Sequence, residues 1–127
     1  MKAHPAQGGR ELLVVEGISL SFGGLKAVSS FGLDLRAGEL QGLIGPNGAG
    51  KTTVFNLLTG IYKPDHGAIH LSGSSLVGLR PHQITAAGMA RTFQNIRLFP
   101  DLCVFDNVRT ACHVRASHGI ASSILRT

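Results

Sequence analysis

The sequence predicts an α/β fold, and three observations lead there. An apolar run, Leu40–Ile44, enters a glycine-rich stretch, Gly45–Gly50, from which a helical segment starts at Lys51. The first 36 residues carry short apolar runs with period-two alternation, the pattern of half-buried strands. Beyond the loop, a second helix start is marked by Pro81 and a third by Val104.

In chain order, residues 1–10 read as a flexible lead of small and polar residues. Leu12–Val15 is a short apolar run and Ile18–Phe22 alternates, so both read as strand. Gly23-Gly24 turns the chain into Lys26–Leu35, partly alternating and again strand, which Arg36–Glu39 closes. Leu40–Ile44 is more continuously apolar, which predicts a buried strand. Lys51–Leu58 is predicted helical and stopped by Gly60, with Pro64 further on. Pro64–Gly67 reads as a turn, Ala68–Leu71 as a short strand, and Ser72-Gly73 as the turn that ends it. Pro81–Ala87 is predicted helix stopped by Gly88, Met89–Phe93 a short strand, and Val104–Val114 a helix.

Composition supports a folded chain and names no partner. Hydrophobic residues make up 43% of the 127 and charged residues 15%, too apolar for a disordered segment. No apolar run reaches the length of a membrane-spanning helix, and no apolar core follows the first residues as in a secretion signal. Cys103 and Cys112 lack metal-type spacing, which fits a reduced, cytoplasmic protein. Twelve basic residues against seven acidic ones leave a net charge of +5, which tolerates an anionic ligand. One Tyr and no Trp argue against an aromatic nucleic-acid surface, so no nucleic-acid partner is expected.

The 17 glycines must be read locally, and the densest group carries chemistry. Gly45-Pro46-Asn47-Gly48-Ala49-Gly50-Lys51-Thr52 fits the pattern G-x-x-x-x-G-K-[ST] between a strand and a helix. Glycines let the backbone approach a ligand, and the inward N–H groups form an anion nest. The helix N-terminus adds partial positive charge where phosphates sit. Lys51 supplies a full charge to the β/γ-phosphates, the Thr52 hydroxyl suits Mg²⁺, and Thr53 suits a neighbouring phosphate oxygen.

Three tracts occur together in order and spacing: Ser21–Val28 containing Phe22-Gly23-Gly24-Leu25, the loop Gly45–Thr53, and Arg91-Thr92-Phe93-Gln94-Asn95-Ile96-Arg97-Leu98-Phe99. Together they resemble the N-terminal half of an ABC-transporter ATP-binding subunit, of the branched-chain amino acid importer type. The resemblance implies a P-loop NTPase with an ABC-type RecA-like core and an antiparallel β subdomain, incomplete in this chain. Residues 11–127 would form the N-terminal part of the nucleotide-binding domain. It also implies ATP and Mg²⁺ as ligands, with Gly45–Thr53 matching the phosphate loop throughout. Phe22 matches the aromatic that stacks on adenine. Gln94 matches the glutamine that reaches Mg²⁺ and the attacking water. Ile96–Leu102 would lie at the surface meeting the transmembrane permease subunits, with Leu98, Phe99 and Leu102 as apolar anchors; a buried loop flank is the competing reading. A second ATP-binding subunit completes such systems, and the assembly sits on the cytoplasmic face of the membrane.

The family's signature loop, Asp-Glu-terminated strand and switch histidine do not occur in these residues. The acids are Glu11, Glu16, Asp34, Glu39, Asp65, Asp101 and Asp106, and residues 66–100 hold none. No carboxylate is therefore placed as a general base, and hydrolysis by this chain alone is not expected. The alternative within the same reading is a truncated nucleotide-binding module without turnover. An unrelated P-loop kinase or GTPase would not account for the Phe22 and Gln94 tracts.

Several other patterns are plain structure. Leu12–Glu16 imitates an apolar strand ending in an acid, but precedes the phosphate strand and ends in an edge turn with a solvent-facing Glu. Leu71–Ser75 imitates the start of a signature loop but reads as a turn. The histidines, His66 with His70 and His113 with His118, miss a shared helix face, so no metal site is expected. Cys103 precedes Asp106 at capping-box spacing, which predicts a weak N-cap for the last helix.

Overall fold

The computed structural model describes residues 9–93 and 98–112. These fall into two compact units, one ending at Arg91 and the other beginning at Thr92.

The first unit is organised on an antiparallel sheet. Strand β1 (Glu11–Phe22) turns through Gly23-Gly24 into β2 (Leu25–Arg36), and Phe22 pairs with Leu25 across the turn. The two apolar runs, both read as strand, are continuous in β1. The sequence alternates in phase at Leu13 and Val15, then again at Ile18 and Leu20, one residue out of step, yet all four are buried. A bulge explains this. Val15 pairs with Leu33 and Ile18 with Phe31, so three steps on β1 face two on β2. The same surplus occurs toward β3 (His66–Leu71), where Glu16 pairs with Ala68 and Ser19 with His66. Gly17 takes φ 57 in this bulge, a conformation other residues adopt only with strain. One inserted residue returns the second run to the core face.

Strand β3 runs antiparallel to β1, and Ser72-Gly73 turns it into the two-residue β4 (Ser74–Ser75), where the sequence pattern predicts turn alone. The predicted turn at residues 64–67 is shorter, because His66 and Gly67 already pair as strand. The sheet order is β2-β1-β3-β4.

Helix α1 (Lys51–Leu58) has its predicted bounds. Its apolar stripe Val54, Leu57 and Leu58 joins β1, Val28 of β2, Ile69 and Leu71 of β3, Leu76 and Ile84 in one core. Helix α2 (Pro81–Ala86) starts with Pro at its first turn, where the missing N–H costs nothing. The Gln83 side chain accepts from the Arg80 N–H at 2.8 Å, and Ile84 is the buried residue of this helix.

Two expectations fail. Leu40–Ile44 is not a strand: residues 39–46 have no regular structure, and Leu40 and Ile44 are 100% and 96% exposed. A strand needs a ladder partner for its N–H and C=O groups, and no described strand lies beside this run. Met89–Phe93 is likewise irregular. The Met89 N–H is taken by the Ile84 carbonyl at 3.2 Å, and the Arg91 side chain is drawn onto α1.

The second unit contains α3 (Val104–Ala111), shorter than its predicted span; His113 and Val114 lie outside the described residues, as does His118. Cys103 is its N-cap as predicted, with Sγ accepting from the Asp106 N–H at 3.4 Å. Asn107 ties the preceding turn to the helix. Its Oδ1 accepts from the Phe99 N–H at 2.9 Å, and its Nδ2 donates to the Phe99, Leu102 and Cys103 carbonyls. No residue of α3 is buried.

Candidate functional site: a phosphate loop on a strand hairpin

Residues 45–50 form a tight loop that enters α1. The Ala49 N–H donates to the Pro46 carbonyl at 3.2 Å, closing a turn, and Gly48 and Gly50 take φ 84 and 80. Gly50 is the helix N-cap, and its carbonyl accepts from the Val54 N–H at 2.9 Å. Only glycine fits at Gly50. A Cβ there would run into the Ala27 carbonyl oxygen and lie 3.5 Å from Val28 Cγ2. The loop therefore leans directly on β2.

The electrostatics suit an anion. The N-terminus of α1 has no side-chain cap and no acid in its first turn, so no carboxylate of that turn opposes its N–H groups and dipole. Lys51 Nζ donates to the Gly45 and Pro46 carbonyls at 2.5 and 2.6 Å, holding the ammonium over the loop. Thr52 is exposed and Thr53 half-buried. The sequence-predicted residues Gly45, Pro46, Asn47, Gly48, Ala49, Gly50, Lys51, Thr52 and Thr53 are thus contiguous at one helix start. These groups fit a polyphosphate. No cluster of three or more His, Cys, Asp or Glu stands ready for a metal among the described residues. A divalent cation would rest on phosphate oxygens and the Thr52 hydroxyl.

Phe22 sits at the tip of the β1–β2 hairpin, 46% exposed, and so is not a core residue. Ala27, against which Gly50 rests, is two residues beyond its cross-strand partner Leu25. The hairpin thus carries the aromatic and the loop's support at the same end. Gln94 lies outside the described residues, as do Ile96 and Arg97. Leu98, Phe99 and Leu102 are 67%, 57% and 43% exposed in this chain. Glu16 is exposed as predicted but lies within the inner strand β1, paired with Ala68, and not in an edge turn; Leu71–Ser75 is the end of β3, a turn and β4.

Some residues of this neighbourhood were not singled out from the sequence. Arg91 Nη1 donates to Asn56 Oδ1 at 2.7 Å, and its guanidinium lies 5.8 Å from the Phe55 ring centroid. Both contacts reach the last turns of α1, one turn and more from Thr52. Tyr62 meets Phe22 ring to ring, and the Asp65 carboxylate accepts from the Ser21 N–H at 2.9 Å. These pairings span 35 to 44 residues, and no local pattern announces them.

A sheet-backed helix opened by a glycine-rich, lysine-bearing loop defines a mixed α/β chain of the P-loop NTPase class. Solved structures agree. The chain matches MJ1267, an ATP-binding cassette of an ABC transporter solved in its ADP conformation, at 27% identity and TM-score 0.73 over 92% of this chain and 46% of that one. It matches another ABC-transporter ATP-binding subunit at 27% identity and TM-score 0.73 over 84% and 44%. The ABC transporter family model matches residues 28–126, and the chain belongs to that family. Its curated relatives include the high-affinity branched-chain amino acid transport ATP-binding protein LivG of Salmonella typhimurium, 50% identical over 91% of this chain. BraF of Pseudomonas aeruginosa, which carries the same description, is 42% identical over 93%. The chain spans 46% of the length of each of these two relatives.

Proposed function

We propose that this chain binds Mg-ATP through Gly45–Thr53, as the ATP-binding part of an importer for branched-chain amino acids. The observation that carries the reading is the uncapped, acid-free N-terminus of α1, preceded by the glycine loop and bearing Lys51. The loop N–H groups and Lys51 hold the phosphates, Thr52 and Gln94 hold Mg²⁺, and Phe22 takes the adenine ring. Bound Mg²⁺ would neutralise phosphate charge. The transport class rests on the LivG and BraF likeness, at 50% and 42% identity.

The same likeness proposes transmembrane permease subunits as partners, at the cytoplasmic face of the membrane, and a second ATP-binding subunit. The exposed Leu98, Phe99 and Leu102 supply apolar anchors for such a contact. Among the described residues, no helix is long and apolar enough to cross a membrane.

A second reading, binding without turnover by this chain, is favoured by where its acids stand. Asp65 is engaged by the Ser21 N–H and Asp106 by Cys103, and residues 66–100 contain no carboxylate. Titration calorimetry with ADP and ATP, with and without Mg²⁺, tests binding. Lys51→Ala should weaken it at least about tenfold while the fold is kept. Absence of binding to the unsubstituted chain would refute both readings. Phosphate release that Lys51→Ala abolishes would refute the second.

A further inference from the structure

We propose that Tyr62 is a positioning residue for the nucleotide base: its ring sets the plane of Phe22, on which the adenine stacks. The inference rests on the nucleotide reading above and assigns a residue that reading leaves without a role.

The ring centroids of Phe22 and Tyr62 lie 5.2 Å apart, with 72° between the planes. This edge-to-face geometry is the one that the ring quadrupoles favour. It restrains a side chain that would otherwise turn freely at a hairpin tip. Phe22 keeps 46% of its surface exposed, so the contact orients the ring without covering it.

Tyr62 is itself held by the helix that opens with the phosphate loop. The Ile61 and Tyr62 N–H groups donate to the Asn56 carbonyl at 2.9 and 3.2 Å. Three residues on, the Asp65 N–H donates to the Ser19 carbonyl at 2.9 Å, and the Asp65 carboxylate accepts from the Ser21 N–H. The segment from Gly60 to Asp65 therefore joins the far end of α1 to the last residues of β1. Through it, the helix that carries Lys51 and Thr52 also fixes the ring meant for the base. This short strap is a second tie, beside the Gly50–Ala27 contact, between the phosphate-bearing helix and the hairpin that carries the base contact.

The test separates base from phosphate by using ADP and inorganic pyrophosphate as probes of the 127-residue chain. Tyr62→Ala should weaken ADP binding about three- to tenfold and change pyrophosphate binding less than about twofold. Tyr62→Phe should restore ADP affinity. Tyr62→Leu, which keeps apolar bulk, should lose it as Tyr62→Ala does, and it carries the test if the alanine variant does not fold. Phe22→Ala should weaken ADP at least as much, and adding Tyr62→Ala to it should cost nothing further. Equal weakening for both probes would show that Tyr62 serves the loop, and unchanged ADP binding would show that it serves neither; each overturns the proposal. If Phe22→Ala leaves ADP affinity intact, the base-stacking role of Phe22 is what fails, and the proposal falls with it. If the unsubstituted chain binds neither probe, the nucleotide reading itself is refuted, and the proposal with it.

Discussion

Gly48 and Gly50 stand two residues apart in the loop with nearly the same backbone angle, φ 84 and 80, but with different surroundings. A Cβ at Gly48 would meet nothing within 4 Å, whereas at Gly50 it would strike the Ala27 backbone oxygen. Alanine at either position bears the left-handed conformation, about 1–2 kcal/mol. At Gly50 the collision adds about 1–3 kcal/mol, the usual range for overpacking, because a backbone oxygen has no rotamer to escape into. Relief there requires moving α1, whose Val54, Leu57 and Leu58 are buried, or moving β2 off β1. Gly48→Ala should therefore lower unfolding free energy by about 1–2 kcal/mol and Gly50→Ala by about 2–5 kcal/mol, large against a typical 5–15 kcal/mol. Gly48→Asn should recover part of the first loss, since Asn tolerates positive φ. Urea unfolding followed by far-UV circular dichroism measures all three. Equal losses at the two glycines would refute the reasoning, since they would mean that the contact with Ala27 carries no weight.

Other substitutions test other links. Cys103→Thr should raise the stability of α3 by about 0.5–1 kcal/mol, because a hydroxyl caps the Asp106 N–H better than a thiol at 3.4 Å. An unchanged or lower melting temperature would reject the capping assignment. Arg91→Ala should cost about 1–2 kcal/mol through the lost bond to Asn56 and the Phe55 contact, and Arg91→Lys less, since charge remains without the planar fork. Matched urea melts check the order. Leu40→Ser with Ile44→Ser should change unfolding free energy by less than about 0.5 kcal/mol yet reduce self-association in sedimentation velocity, because both side chains are exposed. A large loss of stability would show that this run is packed after all.

Local chemistry made much of this molecule readable from the chain alone. The bounds of α1 follow from a glycine N-cap, an i, i+3, i+4 apolar stripe and the glycine after it, all within eleven residues. The phosphate loop is legible for the same reason, since its residues are contiguous and each acts through its own backbone or charge. The hairpin at Gly23-Gly24 and the thiol cap at Cys103 are equally local. What the chain order concealed depends on partners distant in sequence. Whether Leu40–Ile44 forms a strand depends on a ladder beside it, and apolar composition cannot supply one. That both runs around Gly17 face the same core is settled by a bulge against both β2 and β3. The ring of Tyr62 against Phe22, and Arg91 on the end of α1, come from folding that joins residues 35 to 40 positions apart. Periodicity and motif spacing encode which chemistry a segment can do. Which side chains steady that chemistry is a matter of three-dimensional proximity, and only the packed sheet and helix decide it.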